Sequence, residues 1–145
     1  MISSNKKTFT VKNSCLTVLA CLILPLQYGC DLINQDEDIH TLLENTSDAM
    51  NRNLPDMVSQ DMLLLETSYE DMEYSYYVSV LNYSVGRVDV DAFVEFMHPI
   101  LINDVCESER HIRFINEDVS IRYVYSDKDQ QEFTTITIRP NDCSQ

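Results

Sequence analysis

The sequence predicts an α+β domain: a leading helix, then ββ-α-ββ, giving a four-stranded antiparallel sheet with a helix packed on one face. Three observations carry this. Glu73 to Tyr83 (EYSYYVSVLNY) alternates, with Tyr74, Tyr76, Val78 and Val80 on one side and Ser75, Tyr77, Ser79 and Leu81 on the other, the period of a strand. The period then changes: Val90, Phe93, Val94, Met97, Ile100 and Leu101 recur at three- and four-residue intervals, as on one stripe of a helix. Period two returns in Val119, Ile121, Tyr123 and Tyr125, against Ser120, Arg122 and Val124. Two hairpins and a crossing helix most economically make one antiparallel sheet covered on one side.

Taken in order, Ile39, Leu42, Leu43 and Met50 fall near helical spacing and predict a short helix over 38–51. Leu54-Pro55 stops it, because a residue before proline avoids the helical region. Met62 to Leu65 is a short apolar run suited to a buried strand, and Ser68 to Met72 (SYEDM) supplies the polar turn into the next strand. Asp89 or Asp91 can cap the central helix. Pro99 lies inside it, where it removes a hydrogen bond to the Glu95 carbonyl and predicts a kink. Glu107 to Asn116 continues for one or two helical turns. After the strand of alternating tyrosines, Asp127-Lys128-Asp129-Gln130 forms a tight polar tip. Phe133 to Arg139 (FTTITIR) returns with Ile136 and Ile138 on one side, and Pro140 ends it.

The first thirty residues read as an address. Lys6, Lys7 and Lys12 precede an apolar core, Cys15 to Leu26, and Gly29-Cys30 is followed by the acidic run Asp31 to Asp38. A cationic end, a short apolar core and a small residue before the cut mark an export signal. The core has 12 residues and contains Pro25, whereas a membrane span needs about 20. Three segments follow: a signal peptide over 1–29, a lipid-anchored acidic linker over 30–38, and one domain over 39–145.

Cysteine arithmetic supports a lipid on Cys30. Cys15 and Cys21 leave with the signal; acylation of Cys30 then leaves one pair, Cys106 and Cys143, in an oxidising compartment where a disulfide persists. Without acylation, a secreted domain would carry an odd thiol. The expected bridge closes a loop of about 37 residues, worth roughly 3–4 kcal/mol in the chain-entropy model. A redox role for the pair is disfavoured, because catalytic thiols usually occur as Cys-x-x-Cys.

Charge excludes some partners. All 24 acids follow residue 29 while three of the ten bases precede it, so the mature 116 residues carry a formal charge of −17. Such a surface repels nucleic acid and anionic headgroups. It suits cationic partners, although solubility explains it equally well.

The remaining motifs carry little chemistry. His40, His98 and His111 are isolated in sequence and form no metal pattern, so no metal is expected. Asp127 to Glu132 has carboxylates at the first and third positions of a calcium loop. It has Glu132 where that loop needs glycine, and it lacks the glutamate at position twelve. The acids Glu70, Asp71 and Glu73, and Glu107 and Glu109, read as solvated residues rather than a general acid and base. With only Gly29 and Gly86 present, no glycine-rich phosphate loop exists. No catalytic residue and no cofactor is expected. Tyr74, Tyr76, Tyr123 and Tyr125 could form a binding face, since tyrosine buries area while its hydroxyl finds a partner; a strand buried on one side explains the same residues.

Leu26-Gln27-Tyr28-Gly29-Cys30 resembles the bacterial lipoprotein box, with Gln27 where that pattern prefers leucine. The resemblance implies a diacylglyceryl group on Cys30, a membrane anchor and a periplasm-facing domain. The alternative is ordinary signal cleavage and a soluble periplasmic or secreted protein. The second half, with Val105-Cys106, Tyr123-Val124-Tyr125-Ser126-Asp127-Lys128 and Pro140-Asn141-Asp142-Cys143, resembles a group of small uncharacterised bacterial envelope proteins. The likeness reaches back to about Leu54. It implies the fold and the disulfide, and transfers no catalytic residue.

The sequence therefore predicts a non-enzymatic envelope lipoprotein with an accessory role, contacting another envelope protein and no evident small-molecule substrate. The alternative is an immunity-type inhibitor of a toxin in the periplasm.

Overall fold

The computed structural model describes residues 38–87 and 89–143. The expected signal peptide, Cys30 and the linker up to residue 37 lie outside the described residues. Those described fall in one compact unit, with the order α1 (Ile39–Asn51), β1 (Asp56–Ser59), β2 (Met62–Glu70), β3 (Glu73–Val80), α2 (Val90–Glu107), α3 (Glu109–Asn116), β4 (Ser120–Asp127) and β5 (Glu132–Ile138). A 3-10 turn, Pro140–Cys143, closes the described chain.

The α+β class stands, with corrections to the sheet. It has five strands in the order β1-β2-β3-β4-β5, not four, and it is mixed rather than antiparallel. The hairpins β2–β3 and β4–β5 are antiparallel as expected, but β3 and β4 run parallel, from Glu73 beside Ser120 to Val80 beside Asp127. The reason lies in the connection. The α2–α3 segment returns the chain to the end of the sheet where β3 began, so the next strand enters in the same direction. β1 is the added strand. Its four residues are all exposed, so it carries no apolar alternation.

Turns and caps fix the boundaries. The β2–β3 turn narrows to Asp71 and Met72, both at positive φ (50° and 61°), the combination a two-residue type I′ hairpin requires. Asp89 caps α2 by accepting from the Ala92 N–H at 3.1 Å, and the helix runs through Pro99 to Glu107. Ser108 then leaves helical geometry and accepts from the Arg110 N–H at 3.2 Å, starting α3.

The core lies on the face that carries Tyr74, Tyr76 and Val78 from β3 and Ile121, Tyr123 and Tyr125 from β4. Phe93 of α2 meets Tyr125 edge-on, with ring centroids 4.9 Å apart, and Phe114 of α3 lies against Tyr74 at 5.5 Å. α1 adds Leu43 and Met50 to the core and lines β2 through a polar clamp. The Asn51 amide donates to the Thr67 carbonyl and accepts from the Thr67 N–H, both at 2.8 Å, while Ser47 Oγ donates to the same carbonyl at 2.9 Å. A side-chain amide thus takes the pairing that a neighbouring strand would supply. Cys106 and Cys143 form a disulfide that ties the end of α2 to the tail after β5.

Candidate functional site: an apolar groove over the tyrosine face

The helices leave part of the sheet face open. Between α2 and the β1 edge runs a groove of about 560 Å³. Leu64 of β2, Tyr76 and Val78 of β3, and Tyr123 and Tyr125 of β4 line it from the sheet. Met97 and Leu101 of α2 stand on one side; Met50, Leu54, Val58 and Met62 stand on the other. Alternation in the sequence produces the floor, and the i, i+4 spacing of Met97 and Leu101 produces the α2 wall. Polar groups are few: Asn53 and Asp56 near the β1 side, and Asp104 and Arg110 where α2 meets α3.

Apolar surface extends beyond the groove. Phe96 and Ile100 are 68% and 47% exposed on α2, two turns and one turn before Asp104 on the same stripe. Across the groove, Met57 and Val58 on β1 are 47% and 55% exposed.

The expected tyrosine face is not an open recognition surface. Tyr74, Tyr76, Tyr123 and Tyr125 are all buried. Three of them reach the groove floor and one does not, since Tyr74 packs under Phe114 and Met50. Tyr76 and Tyr123 stack, with centroids 5.2 Å apart and planes at 15°. Burial raises the pKa of all three groove tyrosines well above that of a free phenol. They are therefore neutral hydrogen-bonding groups, unable to ionise as bases near neutral pH.

Sequence reasoning missed His111. It reads as an isolated residue, yet α3 buries it behind the groove with Nε2 3.0 Å from the Tyr76 hydroxyl. Nδ1 is buried without a hydrogen-bond partner, 3.9 Å from Asp104 Oδ2. Burial lowers its pKa, and the Asp104 charge opposes that shift. The apolar stripe Phe114, Ile115 around it was the only available signal.

The other expected sites stay apart. His40 pairs with the Tyr69 hydroxyl at 2.7 Å, and His98 sits on α2. Among the described residues no group of three His, Cys, Asp or Glu side chains gathers as a metal site. The Asp127 carboxylate accepts backbone N–H bonds from Val85 (2.8 Å), Asp129 (2.8 Å) and Gln131 (3.0 Å), so it holds the hairpin tip and the loop before α2. Those bonds depress its pKa, led by the one from Val85. Glu73 pairs with Arg122 at 3.2 Å, while Glu107 and Glu109 flank the α2–α3 junction. Cys30, the expected lipidation site, lies outside the described residues.

No protein-family model matches the sequence, and no curated protein does. Solved structures do share the fold. The crystal structure of a protein of Pseudomonas aeruginosa superimposes with a TM-score of 0.59 at 15% identity, covering 70% of this chain and 89% of that one. The type II secretion pilotin EpsS of Vibrio vulnificus gives 0.58 at 10% identity, over 72% of this chain and 90% of the pilotin. The type II secretion pilotin AspS of Vibrio cholerae gives 0.54 at 10%, over 70% and 89%. At these identities the likeness establishes a common fold.

Proposed function

We propose that the chain is a lipid-anchored, non-enzymatic protein of the bacterial envelope whose groove docks an apolar segment of another envelope protein. The groove is the observation that carries this reading. Its floor and walls are apolar, its few polar groups sit at the ends, and exposed apolar residues continue it on both lips. Concave apolar sites with sparse polar groups are the usual form of a binding site. An amphipathic segment laid in such a groove buries its apolar stripe there.

Two further points support the reading. Pilotins of type II secretion share the fold, and the sequence ending in Gly29-Cys30 resembles a lipoprotein box, which fits an anchor through a lipid on Cys30. The non-enzymatic part is our reading of the groove's lining, which is apolar with Asp104 and Arg110 at its edge. The strong negative charge then disfavours nucleic acid and favours a partner with cationic residues beside its apolar stripe.

Purification of the tagged full-length protein from its native envelope tests this. We expect one envelope protein to co-purify with the wild type and with Thr135→Lys on β5, and to be lost with Leu101→Lys in the groove. Equal recovery with Leu101→Lys would contradict the reading.

A further inference from the structure

The groove has a titratable group built behind its floor. His111 is 3% exposed, and its Nε2 is hydrogen-bonded to Tyr76, a groove residue stacked on Tyr123. Its Nδ1 has no hydrogen-bond partner, and Asp104 on the α2 wall stands 3.9 Å away with its side chain 60% exposed. The charged and titratable groups around the imidazole are Asp104 from α2, Tyr76 from β3, Tyr123 behind it from β4, and Arg110 from α3 itself.

A neutral imidazole carries one N–H. The Asp104 carboxylate and backbone carbonyl favour that proton on Nδ1, so Nε2 accepts from the Tyr76 hydroxyl, whose oxygen also faces the Arg110 side chain. A protonated imidazole donates from both nitrogens. The Tyr76 oxygen must then accept from Nε2–H and turn its own proton away, toward the groove. Nδ1–H meanwhile gains a charged partner if Asp104 moves inward by about 1 Å to hydrogen-bond distance.

We propose that His111 is a proton switch for the groove: gaining a proton converts Tyr76 from acceptor to donor toward an occupant and draws Asp104 in from the α2 wall. This rests on the groove being the docking site. The sign follows from burial, which holds His111 below the ordinary histidine value against the pull of Asp104. The neutral state therefore prevails at neutral pH, and the switch operates on acidification. The stability that the neutral imidazole contributes is fully present above about pH 6.5 and declines as pH falls through the lower folded-state value.

The test is NMR of the purified protein from about pH 8 to about pH 5, following the imidazole nitrogens, the Tyr76 ring and the Met97 and Leu101 methyl groups. Nile red serves as a neutral apolar probe of the groove. The switch predicts that Tyr76 and the methyl signals move with the His111 midpoint, and that Asp104→Asn lowers that midpoint by about one pH unit. Groove signals that stay still while His111 titrates, an unchanged midpoint in Asp104→Asn, or global unfolding at the midpoint would overturn it. The docking reading is scored separately. Nile red binding that is lost in Leu101→Lys supports the groove, and binding indifferent to that substitution overturns it.

Discussion

Asn51 stands in for a strand. Its amide answers both the N–H and the carbonyl of Thr67 on the β1-side edge of β2, beyond the point where β1 ends. Replacing it with alanine leaves the buried Thr67 N–H unpaired and its carbonyl with Ser47 Oγ alone, so Asn51→Ala should cost about 1–3 kcal/mol in urea unfolding. Asp127 has a different signature. Its folded-state pKa lies below the ordinary value of 3.8, so the stability it contributes is complete above about pH 4. That stability is lost as pH falls through the folded value. Asp127→Asn should therefore lower the melting temperature at neutral pH and flatten its fall in acid, as read by thermal melts across pH. At this scale the sequence was partly legible. The tyrosine alternation sorted the side chains correctly onto two faces, but alternation does not say which face the helices cover or leave as a groove. Ser47 and Asn51 carry no signal in the sequence, because a polar clamp and a solvated face have the same composition. His111 reads as isolated in the sequence since its partner Tyr76 is remote in sequence and Asp104 lies on another helix.

At the scale of elements, helices were legible wherever local chemistry closed them. The apolar stripe of α2 and a cap at Asp89 or Asp91 both appear in the sequence; the structure caps with Asp89 and buries Phe93, Met97 and Leu101, but leaves Ile100 exposed. Asp89→Ala should lower stability by about 1 kcal/mol by orphaning the Ala92 N–H, measurable as a shift in denaturation midpoint without change in its slope. β1 was illegible because an edge strand with all four residues exposed shows no period. The parallel pairing of β3 and β4 was illegible for another reason. Strand direction depends on where the α2–α3 crossover delivers the chain, and no residue in either strand records that.

For the molecule as a whole, the disulfide and the groove matter most. The Cys106–Cys143 bridge spans 37 residues of sequence, enclosing α3, β4 and β5, and the chain-entropy model gives it about 3–4 kcal/mol. Reduction should lower the urea midpoint accordingly while leaving the strand registers intact, since the core on the tyrosine face does not depend on it. Size, acidity and cysteine count were all readable without coordinates. The groove was not: it is the gap left between α2, which docks toward β5, and the β1 edge, and only the three-dimensional placement of both creates it.

Docking in that gap is the central claim, and site-specific photo-crosslinking in the native envelope tests it most directly. A photoreactive residue at Val58 or Ile100, on opposite lips, should yield a single adduct with one envelope protein, while the same probe at Thr135 on β5 should yield none. The Leu101→Lys substitution should abolish both adducts. Adducts at Thr135 equal to those at the lips, or lip adducts that survive Leu101→Lys, would place the partner elsewhere and contradict the account.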